Sequence, residues 1–169
     1  MYYGALEAGG TKMVCAIGDA DKNIIDRISI PTGTPDQSVP AMIDYFKKYD
    51  ISALGIGTFG PADINPNSPT YGSIMRSPKK DWEGFSLYKA FTDALGCLVV
   101  VDTDVNAAAW GEYLYGALKG LNSGMYLTVG TGIGGGIISD GRLIHGMEHP
   151  ETGHILIPRR TGDDIPCTC

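Results

Sequence analysis

An α/β fold built on a mixed sheet is the class this sequence predicts, and three observations carry the prediction. Short apolar runs alternate with segments of helical spacing along most of the 169 residues. The 24 glycines gather at the ends of those runs. The first three runs, 2–8, 12–18 and 24–30, are separated only by turn residues, so the sheet opens antiparallel before any helix intervenes.

The elements follow in order. Gly9-Gly10 and Asp19–Lys22 supply hairpin-like turns between the first three strands. A helix is expected from 36 to 49, capped by Asp36 or Ser38, with Met42, Ile43 and Phe46 giving the apolar spacing. A buried strand over 53–58 leads to an irregular stretch, 60–83, punctuated by Pro61, Pro66, Pro69 and Pro78. Ordered stretches of that length are usually functional. A helix at 85–95 precedes the strand "CLVVVD" (97–102), and a helix over 105–116 begins beside Asp104.

The pattern βββ-αβ-αβ-α then closes, and a boundary is expected within 117–123 ("ALKGLNS"). Residues 1–116 would form one domain and 117–169 the start of a second. There "MYLTV" (125–129) reads as a strand and "IISDGRLI" (137–144) as a β-rich run turned at Asp140-Gly141. So few elements cannot cover their own sheet, so the sequence is expected to be part of a longer polypeptide, with an apolar face of this hairpin exposed.

Composition narrows the function. A hydrophobic content of 43% supports a packed core. The net charge is −6 and the 13 lysines and arginines are scattered, which argues against nucleic acid as a partner. Met1 runs directly into "YYGALEAGG", without the basic and apolar regions of a secretion signal, and no apolar run reaches a membrane span. Cys15, Cys97, Cys167 and Cys169 do not look like a disulfide framework, so a cytoplasmic location is the default expectation.

Two glycine loops carry candidate chemistry. In "GTGIGGG" (130–136), Gly130, Gly132 and Gly135 spell G-x-G-x-x-G, but a dinucleotide fingerprint needs a helix after the loop and here a β run follows. The loop is either a phosphate cradle of another kind or a plain turn. "EAGGTK" (7–12) also lies between strands: Gly9 and Gly10 admit an anion close to the backbone, Thr11 offers a hydroxyl and Lys12 a charge. Alone it reads equally well as a two-glycine hairpin turn. Two such loops around an α/β unit are a way for a cleft to clamp the tail of ATP, and the pair is more specific than either member.

Between them, Asp104 of "VDTDVNAAAWGE" (101–112) lies where a buried strand gives way to a helix, so its carboxylate should face the cleft beyond the strand. It either caps the helix or accepts a proton from an attacking hydroxyl, and the two roles are compatible. Asp102, which ends the strand, reads as structural. "HPETGHILIP" (149–158) adds His149, Glu151 and His154, where a carboxylate and an imidazole can hydrogen-bond sugar hydroxyls. His154 with Cys167 and Cys169 offers zinc-type ligands, but three do not close a structural site, and on residue types alone reduced surface cysteines are the better reading.

"EAGGTK", "GTFGPADI", "DTDVNAAAWGE", "GTGIGGGIISDGRLIHG" and "HPETGHI" together resemble the ROK sugar kinases, and among them the bacterial fructokinases. Glu7, the "SPTYGSIMRSPKKDW" loop and Thr103 ahead of Asp104 carry the narrower likeness. The resemblance implies an actin-like ATPase (ribonuclease H-like) domain plus the beginning of a second similar domain. It implies that Gly9, Gly10, Thr11, Lys12, Gly130, Thr131 and Gly132 hold ATP phosphates and that Asp104 is the general base. Gly60, Pro61, Thr103, Asp104, Glu151 and His154 would bind the sugar. It further implies Mg²⁺, a homodimer, and a structural Zn²⁺ on His154 and Cys169, with Cys167 fitting less well. The expected reaction is phosphorylation of D-fructose by ATP. The alternatives are a kinase for glucose, mannose or an N-acetylated amino sugar, or a non-catalytic sugar-responsive regulator. Repressor relatives carry a DNA-binding domain ahead of the kinase-like part, and here the first strand begins at Tyr2 with no basic recognition helix before it.

Overall fold

The computed structural model of the protein describes residues 1–130, 132–146, 152–158, 160–162 and 164. Three strands open the chain: β1 (Tyr2–Ala8), β2 (Lys12–Asp19) and β3 (Ile24–Pro31). Alternation decides their faces, because successive side chains of a strand point opposite ways. Gly4, Leu6 and Ala8 of β1 are buried, while Tyr3, Ala5 and Glu7 are exposed. With β4 (Ile51–Thr58) and β5 (Leu98–Thr103) these strands form a five-stranded sheet ordered β3-β2-β1-β4-β5. The β1–β2 and β2–β3 pairs are antiparallel, whereas β4 lies parallel to β1 and β5 parallel to β4. This is the mixed sheet that the sequence predicts.

Helices α1 (Pro35–Phe46) and α2 (Leu87–Leu95) cover one face, burying Met13, Ile17, Met42, Phe46, Leu54 and Phe91. The start of α1 differs from the expectation. Thr34, not Asp36 or Ser38, is the N-cap; the Gln37 side chain accepts from Thr34 N at 3.2 Å, and Pro35 takes the first helical position, where its missing N–H costs nothing. The Ser38 hydroxyl accepts from Gly33 N at 2.9 Å instead. The helix also ends at Phe46 rather than 49, leaving room for β4 to begin at Ile51. Ser86 caps α2, and Gly96 ends it with φ of 63°, a conformation glycine adopts without strain.

Residues 60–83 are irregular but firmly tied. Ala62 bridges Ile74 and Ser73 bridges Ser86, and Ala62, Ile74 and Trp82 are buried. Trp82 Nε1 donates to Gly33 O at 2.9 Å. The Tyr71 hydroxyl donates to Val101 O at 2.9 Å and accepts from Val101 N at 2.7 Å, so one phenol satisfies both backbone groups on the free edge of β5.

Helix α3 (Asp104–Tyr115) packs on the opposite face of the sheet. A Cβ on Gly57 of β4 would stand 2.9 Å from Ala107 Cβ and 3.3 Å from Asp104 Cα, so only glycine lets the helix start approach so near. The same helix packs on a second sheet, ordered β6-β7-β8, made of β6 (Gly124–Val129), β7 (Ile133–Ser139) and β8 (Arg142–Leu143). Here the structure corrects the 130–136 loop: β7 starts at Ile133, so Gly134, Gly135 and Gly136 are strand residues and the connection from β6 ends before Ile133. Their glycine character answers to packing on both faces. A Cβ on Gly136 would overlap Val105 O and stand 2.7 Å from Ala109 Cβ, while one on Gly135 would meet Thr152 Cβ at 3.0 Å. The outward side chains of β6 do present an apolar surface, with Leu127 55% and Val129 78% exposed. No helix among the described residues is long and apolar enough to cross a membrane.

Candidate active site

The site grows from the ends of the parallel strands. Thr103 closes β5 and caps α3: its hydroxyl accepts from Asn106 N at 3.0 Å. The cap is thus Thr103 rather than Asp104, and Asp104 occupies the first helical position, half-buried, its Oδ1 accepting from Val105 N at 2.8 Å. An acidic group in the first helical turn also faces the positive end of the helix dipole.

Asp102 does more than end a strand. Its Oδ1 accepts from Thr103 N at 2.7 Å and from Asn106 Nδ2 at 2.8 Å, and its Oδ2 meets His145 Nε2 at 2.7 Å. Asn106 is wholly buried and its Oδ1 has no partner among the described residues, so the Asp102 bond fixes its amide. The Asp102–His145 contact joins the end of β5 to the segment leaving β8, 43 positions away.

Asp102 and His145 line a cavity of about 970 Å³, together with Pro61, Ala62, Asp63 and Met75 among others. Pro61 follows a cis peptide from Gly60, and its carbonyl accepts from Met75 N at 2.8 Å. Burial works against ionising Asp63, but hydrogen bonds from Ser68, Thr70 and Asn65 N outweigh it and hold its carboxyl below the ordinary value. The wall is therefore anionic and rich in acceptors, which suits a ligand that offers hydroxyl donors.

The two glycine turns differ in how they are held. Gly9 N donates to Lys12 O at 3.0 Å, and Thr32 braces the turn through its hydroxyl to Gly9 O at 2.8 Å and its amide to Thr11 O at 3.1 Å. Thr11 and Lys12 are exposed, and Lys79 Cε comes within 3.9 Å of where a Cβ on Gly10 would stand. In the second turn Gly130 N donates to Gly132 O at 2.9 Å. Among the described residues, chain neighbours aside, no atom lies within 4 Å of where a Cβ on Gly130 or Gly132 would stand, so the backbone there is open to an approaching group. Thr131 lies outside the described residues, as do Glu151, His149, Cys167 and Cys169.

His154 closes a short 3₁₀ turn, Thr152–His154, seated on β7: Thr152 Oγ1 donates to Gly135 O at 3.0 Å, and Gly153 packs against Ile133. The opposite face of β7 takes Val105, the neighbour of Asp104. The strand thus places the His154 turn and the first turn of α3 on its two sides, next to the 130–132 turn. Among the described residues no group of three or more His, Cys, Asp or Glu side chains is arranged to hold a metal. Sequence reasoning missed His145, Thr32, Tyr71 and Lys79, although Tyr71 and Lys79 stand in the "SPTYGSIMRSPKKDW" loop and His145 in "GTGIGGGIISDGRLIHG".

Comparison with known proteins matches this architecture. The ROK family model covers residues 3–169. The chain is 49% identical over 162 residues to a putative fructokinase of Bacillus subtilis, covering 96% of this chain and 54% of that protein. It is 43% identical over 169 residues to a fructokinase of Pediococcus pentosaceus, covering 100% of this chain and 59% of that one. Its backbone follows a ROK family glucokinase from Streptomyces griseus, solved with glucose and AMPPNP, with a TM-score of 0.75 at 31% identity, over 88% of this chain and 48% of that one. The chain spans just over half the length of the curated relatives it matches. It has the actin-like α/β architecture of the sugar kinases it resembles and belongs to the ROK family.

Proposed function

We propose that this chain supplies the sugar- and phosphate-facing part of an ATP-dependent hexose kinase whose substrate is D-fructose. The observation that carries the reading is the hydroxyl-compatible cavity walled by Asp102 at the end of β5, with Asp104 two residues further on in the first turn of α3 and the open backbone of Gly130 and Gly132 just ahead of β7 in support. The fructokinase relatives at 43–49% identity favour fructose as the acceptor. In domain terms, residues 1–116 form the N-terminal unit and 117–169 open a second, larger one.

In this mechanism the cavity wall orients the sugar, with Gly60, Pro61, Thr103, Glu151 and His154 as further contacts. Asp104 accepts the proton of the attacking sugar hydroxyl as that hydroxyl's oxygen bonds to the γ-phosphorus of ATP and the bond from this phosphorus to the β,γ-bridging oxygen breaks, with ADP as the leaving group. The backbone of Gly9, Gly10, Thr11, Gly130, Thr131 and Gly132, with the Lys12 ammonium, positions the phosphates, and positioning is most of what phosphoryl transfer asks of a protein. The open backbone at Gly130 and Gly132 fits such a group. Mg²⁺ would accompany the nucleotide and would offset the charge of its phosphates. His154, with Cys169 and Cys167, is the proposed start of a structural Zn²⁺ site. The working unit is proposed to be a cytoplasmic homodimer.

The test is ADP release by the polypeptide at its relatives' length, with fructose against glucose. Preference for fructose supports the reading. Preference for glucose would move the protein toward the glucokinase whose backbone it follows. Sugar binding without ADP release would make it a silent sugar-binding protein.

A further inference from the structure

The geometry points to His145 as a sugar-binding residue that accepts a hydrogen bond from a substrate hydroxyl through Nδ1, with Asp102 as the positioning residue that sets its tautomer. This rests on the kinase reading of the cavity. Asp102 Oδ2 belongs to a carboxylate whose other oxygen already accepts from Thr103 N and Asn106 Nδ2. An ionised carboxylate only accepts, so at 2.7 Å the His145 Nε2 must carry the proton and donate it. In the neutral ring that leaves Nδ1 as a lone-pair acceptor. The side chain stays 43% exposed beside its Asp102 contact, and His145 lines the cavity with Ala62, Asp63 and Met75.

The arrangement follows the second-partner logic by which a carboxylate fixes an imidazole's orientation. It also gives the site a hydroxyl-specific acceptor. A site that offers an acceptor to a hydroxyl favours the ligand that carries that hydroxyl over one that lacks it. The contact is formed only when the segment after β8 folds against the end of β5, so it ties sugar recognition to the seating of the second sheet.

Two substitutions separate this from a structural tie. His145→Gln keeps an N–H donor at the Nε2 position for Asp102 and removes the Nδ1 acceptor. Asp102→Asn keeps its oxygen on Thr103 N and Asn106 Nδ2 and turns its amide N–H toward His145. The ring must then accept at Nε2 and carry its proton on Nδ1, which converts the acceptor into a donor. In the polypeptide at its relatives' length, each variant should raise KM for D-fructose by roughly tenfold, the scale of one hydrogen bond. KM for ATP should stay within about twofold. The double variant should be no worse than the poorer single one, because the pair acts as a unit. In the unsubstituted protein, the ¹⁵N resonance of His145 Nδ1 should move on adding D-fructose. An unchanged fructose KM in His145→Gln, or equal rises in the KM of fructose and ATP, would overturn the inference while the kinase reading stood. No sugar-dependent ADP release from the unsubstituted protein would overturn both.

Discussion

Replacing Gly136 with alanine should destabilise the fold, and replacing Gly132 should not, although both belong to the same glycine-rich run. Gly136 pairs with Tyr126 in the β6–β7 ladder and turns its Cα toward α3. An added Cβ would overlap Val105 O and stand 2.7 Å from Ala109 Cβ. Carbon atoms rest at roughly 3.5–4.0 Å, so the helix would have to retreat by about 1 Å. Overpacking of that kind costs roughly 1–3 kcal/mol. At roughly 2–4 °C per kcal/mol for a chain of this size, Tm should fall by roughly 2–12 °C. Among the described residues, chain neighbours aside, Gly132 has no atom within 4 Å of the same position, and it has no left-handed φ, so Gly132→Ala should hold Tm within about 2 °C. Thermal unfolding followed by circular dichroism on the three proteins in one buffer reads the difference. Its functional counterpart is the reverse: in the kinase at its relatives' length, Gly132→Ala should raise KM for ATP, since the new methyl group fills space kept for phosphate. Equal melting temperatures for the Gly136→Ala and Gly132→Ala variants would refute the packing argument. Unchanged ATP kinetics in Gly132→Ala would reduce the 130–132 segment to a turn.

Further expectations concern chemistry. Asp104→Asn should retain the fold and fructose binding while lowering kcat by at least about 100-fold, the usual scale for losing a general base, and near-normal turnover would remove Asp104 from that role. Burial pushes the Cys15 thiol from 9.0 up to about 12, so it should resist alkylation at pH 8 until the chain unfolds. Because the folded state holds that proton more tightly, its contribution to stability is complete below about pH 9 and is lost as pH rises through about 12; denaturant titrations across that range read the slope. Elemental analysis of the polypeptide at its relatives' length should find about one zinc per chain, lost with some stability in His154→Ala, and stoichiometric metal in that variant would sink the assignment.

Most of the first sheet was legible because its signals are local. Period-two alternation in β1 and β2, the Gly9-Gly10 turn and the Asp19–Lys22 turn all lie within a few residues of what they determine. The cap of α1 was misread although Pro35 stood in the sequence: proline at the first helical position points one residue back, to Thr34. The interior of β7 was less accessible. Three consecutive glycines contradict strand propensity, and only packing against Val105, Ala109 and Thr152 explains them. The Asp102–His145 contact was not legible at all, since no local pattern relates residues 43 apart.

The strain-free close approaches share one consequence for the site. Helix α3 meets glycine on each of its two sheets: Gly57 beneath Asp104 and Ala107, and Gly136 beneath Val105 and Ala109. Each contact brings backbone rather than side chain against the helix, and backbone has few ways to yield. The first turn of α3 is therefore held from two sides by rigid strands, and Asp104 is carried on that turn. A flexible loop could place a carboxylate near the cavity as well, but only with a spread of positions that costs rate in a reaction governed by alignment. Glycine in these strands sacrifices strand propensity, and in return a helix terminus is fixed in place. The run "GIGGG" thus bears on the chemistry by locating the residue proposed to take the proton, independently of whether its first turn touches a phosphate.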